Sequence, residues 1–183
     1  MTDPRLTRIL DLIDAHATAH YGEAASQLDH IVQCGHLAVE AGESDAMIVA
    51  ALLHDIGQFI DDAGNAAERL NIDARHEDLG AAFLAQWFGP EVTEPVRLHV
   101  AAKRYLCAVD PAYEAALSDA SKLSLALQGG AMNAAERAGF EGSPWFAHAV
   151  RLRRYDDTGK RPDWHVPELA SHHARIIGAM LPA

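Results

Sequence analysis

Residues 44–57 read SDAMIVAALLHDIG, a serine and a nearly unbroken apolar run that ends in a histidine, an aspartate and a glycine. Serine commonly caps helices, so Ser44 and the run after it predict a buried helix that stops near Gly57. At a helix end the side chains of His54 and Asp55 can converge on one metal ion, or the carboxylate can bridge two ions with its two oxygens. Taken alone, such a pair also arises by chance.

Helical periodicity extends over nearly the whole chain. Apolar residues recur every three or four positions, and capping residues, glycines and prolines divide the recurrence into segments. The predicted helices cover residues 6–13, 26–41, 44–57, 73–88, 91–106, one or two stretches within 111–128, 143–155 and 167–180. Strand patterns do not occur in the sequence. Because 183 residues suit one domain, we expect an all-α fold, a single helical bundle over residues 1–183.

Composition and charge exclude several classes of function. The formal net charge is −11, whereas general nucleic-acid binders present a basic face, so we expect no nucleic-acid partner. No apolar run reaches membrane-spanning length, and the N-terminal residues lack the apolar core of a signal peptide, so we expect no membrane association and a cytoplasmic protein. An anionic small substrate stays compatible with this charge, because a few local cations can bind one phosphate.

Histidine is frequent, with 11 in the chain, and several histidines lie beside apolar stripes. His30, His76 and His99 are each predicted on a different helix from His54. A single histidine of this kind is usually a core residue with a hydrogen-bond partner, but four buried ones would each need a partner. A shared metal centre would satisfy all four, and Asp156, at the end of a later helix, would complete its ligands.

Two basic residues and a serine suggest that this centre binds an anion. Lys103 follows His99 by four residues and shares its helix face, and Arg153 precedes Asp156 by three. Most lysines are solvated, but a lysine next to a proposed ligand favours an anion-binding role. With the hydroxyl of Ser121, these groups are typical of a phosphate or phosphonate site.

The order of these residues resembles a known family. The chain resembles the HD-domain superfamily of metal-dependent phosphohydrolases, whose metal ligands occur in the same order as His30, His54-Asp55 and Asp156. His76 and His99, which lie between Asp55 and Asp156 in the sequence, look like the extra ligands of the two-metal members. Further stretches resemble the phosphonate-cleaving di-iron oxygenases of that superfamily. These are YGE at 21–23, QLDH at 27–30, HVAAKRYLC at 99–107, LSDAS at 117–121, QGG at 128–130 and RRYDD at 153–157. The stretch at 99–107 is the most specific of them, and together they extend over most of the chain.

The resemblance implies two iron ions in a mixed-valent Fe(II)/Fe(III) centre. The first would be held by His30, His54, Asp55 and Asp156, and the second by Asp55, His76 and His99. Open positions would remain for the substrate and for dioxygen. Nitrogen and carboxylate ligands suit iron or manganese better than a closed structural zinc site, and the residues alone leave iron and manganese open.

The resemblance also assigns residues to substrate binding and catalysis. Tyr21 matches a tyrosine that the family places over the second iron, and Glu23 matches the carboxylate that meets the cationic nitrogen of the substrate. Each has a simpler interpretation, a packing tyrosine at a helix break and an exposed loop acid. Gln58, four residues after His54, departs from the histidine of some family members, which indicates either a different substrate or a change outside the ligand shell.

The favoured hypothesis is an oxygenase that uses dioxygen to split the carbon–phosphorus bond of a small phosphonate. The family's substrate is a 2-amino-1-hydroxyethylphosphonate, and the products are phosphate and glycine, or a methylated glycine if the amine is methylated. The alternative is a two-metal hydrolase of a small phosphate ester, with the same ligands and the same clamp of Lys103 and Arg153, which consumes no dioxygen. A third hypothesis, a non-catalytic HD domain that binds a nucleotide or a partner, is disfavoured because such domains usually lose ligands.

Overall fold

A computed structural model describes residues 3–61, 63–65 and 70–182, and the regular structure in this part is helical. Its ten α-helices are α1 (Pro4–Asp14), α2 (Gln27–Glu40), α3 (Asp45–Leu53), α4 (His76–Leu84), α5 (Pro90–Val109), α6 (Pro111–Ala116), α7 (Asp119–Leu127), α8 (Ala134–Glu141), α9 (Phe146–Thr158) and α10 (His173–Gly178). Three short 3-10 helices cover Ile56–Phe59, Ala63–Asn65 and Leu169–His172. These ranges contain no strand, so the all-α prediction is confirmed. None of the described helices has the length and apolar character that a membrane span requires.

Helix α3 forms the centre of the main core. Its residues from Met47 to Leu53 are all buried, as expected for a helix that is apolar on every side. The hydroxyl of Ser44 accepts a hydrogen bond from the amide of Met47 and caps the helix as predicted. A Cβ at Gly35 of α2 would lie 2.3 Å from the Leu52 side chain, so this glycine lets α2 and α3 approach closely.

The end of α3 differs from the prediction in a way that shapes the site. The helix stops at Leu53 rather than near Gly57, and the chain continues into the 3-10 helix. A Cβ on Gly57 would lie 1.9 Å from the carbonyl oxygen of His76. Only glycine therefore allows the start of α4 to lie against this turn, and the contact brings His76 beside Asp55.

Several helix boundaries also differ from the sequence prediction. Helix α4 begins at His76 rather than at residue 73, because Arg75 before it has a left-handed backbone (φ 51°). Helix α8 was not predicted, although Asn133 and Glu136 form a capping box at its start. The helix expected from residue 143 begins at Phe146. The predicted last helix is a 3-10 turn followed by the short α10.

Helix packing brings distant parts of the chain to the end of α3. Helix α5 packs against α3, α4 and α9, and α9 also packs against α2. Five helices, α2 to α5 and α9, therefore meet around the C-terminal end of α3. Helix α7 contributes to the same place from another side, because Ser121, Ser124 and Leu127 line the cavity found there.

Candidate metal centre and substrate cavity

Six side chains meet where α3 ends: His30, His54, Asp55, His76, His99 and Asp156. Asp55 lies at the middle of them. Its Oδ2 is 3.4 Å from Nε2 of His30 and 3.6 Å from Nε2 of His54. Its Oδ1 is 3.5 Å from Nε2 of His76 and 3.7 Å from Nε2 of His99. The two oxygens of one carboxylate thus face two separate groups of imidazoles.

Asp156 completes the first group. Its Oδ1 lies 3.6 Å from Nε2 of His30, and its Oδ2 lies 3.8 Å from Nε2 of His54. Ligand atoms that share a metal ion at about 2.0–2.2 Å are separated from each other by roughly 3 to 3.6 Å. The spacing within both groups is close to this range, so each group has the dimensions of a metal site.

Backbone carbonyls determine which nitrogen of three imidazoles faces the centre. In each case Nδ1 donates to a carbonyl oxygen: His30 to Gly159 (2.6 Å), His54 to Ala51 (2.9 Å) and His99 to Val96 (2.6 Å). A carbonyl oxygen only accepts, so Nδ1 carries the proton and a neutral ring presents a lone pair at Nε2. Burial lowers the pKa of His54, and burial together with His76 lowers the pKa of His99 to about 3, which keeps both rings neutral.

The facing lone pairs fit a cation between them. Nε2 of His30 and Nε2 of His54 lie only 3.2 Å apart, and two neutral rings in this tautomer would repel each other. If no metal ion is bound, a proton on one of the two nitrogens has to remove this repulsion. Burial lowers the pKa of His30, but Cys34 and Asp55 outweigh burial and raise it well above its usual range. The donor set therefore fits two metal ions, with four and three protein ligands and Asp55 shared.

Cys34 lies beside this centre without facing it. The thiol, His30 and His54 form a cluster small enough for a metal ion. However, the sulfur is closer to Nδ1 of His30 (3.7 Å) than to Nε2 (4.0 Å), and it donates to the carbonyl of Tyr155. Since Nδ1 is the edge that points away from the centre, we favour the carboxylates as ligands and Cys34 as a packing residue.

A cavity of about 120 Å³ opens from the centre. All six residues that the sequence predicted for catalysis or substrate binding line its wall: Tyr21, Glu23, Gln58, Lys103, Ser121 and Arg153. Five of the six proposed metal ligands also line it, and His54 is fully buried behind them. The structure therefore brings the predicted ligand set and the predicted substrate set together in one cavity.

Lys103 is a buried cation on this wall. Its ammonium donates to the hydroxyl of Ser124 at 2.8 Å, and the side chain is almost inaccessible to solvent. Burial, and then the charge of Arg153, lower the pKa of Lys103 to about 7. The alternative of a solvated surface lysine is therefore wrong, and the residue is placed where an anion can approach.

Arg153 also lines the cavity, but protein partners surround its guanidinium. Nη1 donates to Asp156 at 2.7 Å, Nε donates to the hydroxyl of Tyr113 at 2.9 Å, and Nη2 contacts Asp157. These bonds orient the Asp156 carboxylate towards the histidines, and the arginine lowers the pKa of Asp156 despite its burial. Direct substrate binding by Arg153 stays a prediction.

Tyr21 and Glu23 lie in the turn that precedes α2. Tyr21 has a left-handed backbone (φ 44°), and a Cβ at Gly64 would lie 2.3 Å from its ring, so the ring packs on that glycine. The Glu23 side chain is 17% exposed, and its Oε1 accepts from the hydroxyl of Ser118 at 2.7 Å. Glu23 is therefore not a solvated loop acid.

Lys160 was missed by the sequence analysis. Its ammonium is 3.0 Å from Oε1 of Glu23, 3.4 Å from the hydroxyl of Ser121 and 3.6 Å from Oδ1 of Asp156. It follows Asp156 by four residues, a spacing that places two side chains together on a helix. The predicted helix ended at residue 155 and the observed one ends at Thr158, so helical spacing could not be assumed for this position.

Comparison with known proteins finds a matching family model and similar sequences. The HD domain family model matches residues 28–126, a span that contains all four proposed histidine ligands and Asp55. Hydroxymethylphosphonate dioxygenase of Gimesia maris is 44% identical over 173 residues, which are 94% of this chain and 86% of that protein. The glycine-betaine-forming (1-hydroxy-2-(trimethylamino)ethyl)phosphonate dioxygenase of Leisingera caerulea is 43% identical over 162 residues, 88% of this chain and 82% of that protein.

Proposed function

The chain belongs to the HD-domain family, and from this premise we propose that it is a dioxygen-dependent enzyme that cleaves the carbon–phosphorus bond of a small 1-hydroxyphosphonate. The observation that carries the proposal is the position of Asp55. Its two oxygens face two groups of histidines at the wall of a cavity that also contains a buried lysine. Two relatives above 40% identity are both named as phosphonate dioxygenases, which supports this reaction over ester hydrolysis.

The proposed metals are two iron ions in a mixed-valent Fe(II)/Fe(III) pair. His30, His54, Asp55 and Asp156 would hold one ion, and Asp55, His76 and His99 the other. Nitrogen and oxygen ligands with vacant positions are typical of iron sites that react with dioxygen. When bound, such a pair supplies one-electron chemistry with dioxygen and lowers the pKa of a coordinated hydroxyl group.

The chain's own residues would bind and orient the phosphonate. Lys103 and Ser121 line the cavity, and their ammonium and hydroxyl groups would bind phosphonate oxygens. A charge-assisted bond such as that of the ammonium is the stronger type. Arg153 keeps Asp156 in the orientation that faces the histidines. The buried surroundings of these groups keep bulk water away and strengthen each charge interaction.

The reaction is balanced with dioxygen as the oxidant. R–CH(OH)–PO₃²⁻ and O₂ give R–COO⁻, HPO₄²⁻ and H⁺. One C–P and one C–H bond break, a C–O and a P–O bond form, and dioxygen accepts four electrons. A substrate with an aminomethyl group as R gives glycine, a trimethylated one gives glycine betaine, and hydroxymethylphosphonate, in which R is hydrogen, gives formate.

The test is an oxygen-dependent assay after anaerobic loading with iron. Phosphate release and dioxygen uptake are measured with hydroxymethylphosphonate and with 2-amino-1-hydroxyethylphosphonate. We expect one phosphate for each dioxygen consumed with at least one of them. Phosphate release from a phosphate ester without dioxygen uptake would favour the hydrolase instead, and no release from either phosphonate would reject the proposal.

A further inference from the structure

We propose that the ion pair between Lys160 and Glu23 determines substrate preference, so that the cavity favours a 1-hydroxyphosphonate whose carbon-1 substituent carries no positive charge. Hydroxymethylphosphonate is the smallest such compound. This inference rests on the proposed function and concerns which of its substrates the cavity selects.

The carboxylate of Glu23 already has a cationic partner. Oε1 accepts from the Lys160 ammonium at 3.0 Å and from the hydroxyl of Ser118 at 2.7 Å. The Glu23 and Lys160 side chains are 17% and 20% exposed, so solvent screens the pair only in part. A substrate ammonium at Glu23 would share one negative charge with a second cation that is already in contact with it, and like charges this close repel.

Lys160 is held in place by more than Glu23. Its ammonium lies between two carboxylates, those of Glu23 and Asp156, and within 3.4 Å of the Ser121 hydroxyl. The backbone next to it is fixed as well, because the carbonyl of Gly159 accepts from the buried ring of His30. A substrate amine would have to displace an anchored lysine rather than a mobile one.

Another acid on the cavity wall does not offer an equivalent place for an amine. Apart from the proposed ligands and Glu23, the described lining contains the carboxylate of Asp73. Asp73 is exposed, and its Oδ1 accepts from the backbone amide of Arg75. A solvated carboxylate binds an ammonium weakly, so the described residues favour a substrate without one.

The experiment compares hydroxymethylphosphonate with 2-amino-1-hydroxyethylphosphonate in the iron-loaded protein. Affinities are measured anaerobically by calorimetry, so that no turnover occurs, and specificity constants are measured in air. We expect the wild type to prefer hydroxymethylphosphonate by about tenfold or more. Lys160→Met leaves the Glu23 carboxylate without its lysine partner. The ratio of the two specificity constants should then shift in favour of the amine-bearing substrate by about tenfold to a hundredfold, the range that one charge-assisted hydrogen bond gives.

Matched variants separate this role from general damage. Lys160→Arg keeps the charge and should keep the preference, and Lys122→Met removes an exposed lysine on α7 as a control. In the double variant of Lys160→Met with Glu23→Gln, the gain for the amine should disappear, because no unpaired carboxylate remains.

Each outcome has a distinct meaning. A wild-type preference for the amine-bearing compound overturns the inference without any variant, which covers the case in which Lys160→Met loses metal or does not fold. An unchanged ratio in a folded, iron-loaded Lys160→Met protein overturns it too. Turnover of neither compound by the wild type rejects the proposed function, whereas turnover of both with an unchanged ratio rejects only the role of Lys160.

Discussion

A methyl group added at Gly57 should remove one metal ion and leave the other. A Cβ at this position would lie 1.9 Å from the carbonyl oxygen of His76 and 2.6 Å from the amide nitrogen of Gly80. Ordinary contacts begin at 3.4 Å, so the turn and the start of α4 would have to separate by about 1.5 Å. His76 is the first residue of α4 and would move with it.

A displacement of this size exceeds what a metal site tolerates. Metal–ligand distances vary by only about 0.2 Å between sites, and Nε2 of His76 lies 3.5 Å from the Asp55 carboxylate that is proposed to bridge the two ions. Gly57→Ala should therefore lower the affinity for the second ion by roughly tenfold to a hundredfold or more. None of the proposed ligands of the first ion lies on α4, so that ion should remain if α4 is the element that moves. Overpacking should also cost about 1–3 kcal/mol of stability.

Metal content per chain after anaerobic loading measures this effect. We expect about two ions in the wild type and about one in Gly57→Ala, and His76→Ala should give the same loss by removing the ligand itself. Gly139→Ala is the control, because a Cβ there meets nothing within 4 Å. Two tightly bound ions in Gly57→Ala would refute the argument that this glycine places His76.

Three further predictions concern the bridge and the anion site. Asp55→Ala should lose both ions and leave a folded protein, which metal analysis and circular dichroism measure; about two ions per chain in this variant would contradict the bridge. Lys103→Met should weaken anaerobic phosphonate binding by about tenfold to a hundredfold at unchanged metal content, and unchanged affinity would show that the lysine does not bind the anion. Because burial and Arg153 lower the pKa of Lys103 to about 7, its ammonium is present below that pH and lost above it. Phosphonate affinity should therefore fall from about pH 6 to about pH 8 relative to Lys103→Arg, whose guanidinium stays charged; parallel profiles would refute this.

The clustering of the proposed ligands could be predicted from the sequence because burial and chemistry leave few choices for a histidine. Apolar periodicity indicates which helix faces are buried, and buried imidazoles need partners. His30, His54 and His99 each lie on such a face, and their predicted convergence on Asp55 agrees with the structure. His76 was predicted to join this cluster, and it lies beside Asp55 and His99, although the start of its helix was misplaced.

The parts that could not be predicted depend on contacts between distant segments. Helix α4 starts at His76 because Arg75 adopts a left-handed backbone and because Gly57, far away in sequence, leaves room for it. Lys160 enters the cavity after the helix has ended, next to Gly159, whose close approach to Cys34 fixes the backbone there. Local sequence patterns do not predict either of these backbone contacts, and the four-residue spacing from Asp156 to Lys160 is informative only if the helix is known to reach that far.

Arg153 and Glu23 show that predicting a residue's location does not predict its partners. Both line the cavity, as expected, but Arg153 is engaged by Asp156 and the hydroxyl of Tyr113, and Glu23 by Lys160. A cation that is already paired with a proposed metal ligand adds little to phosphonate binding, and an acid that is already paired adds little to amine binding. Lys103 is hydrogen-bonded to a neutral hydroxyl, so its ammonium, which is present below about pH 7 because burial lowers its pKa, can bind the substrate. The charges that remain for the substrate are therefore positive, which suits an anion without an ammonium group.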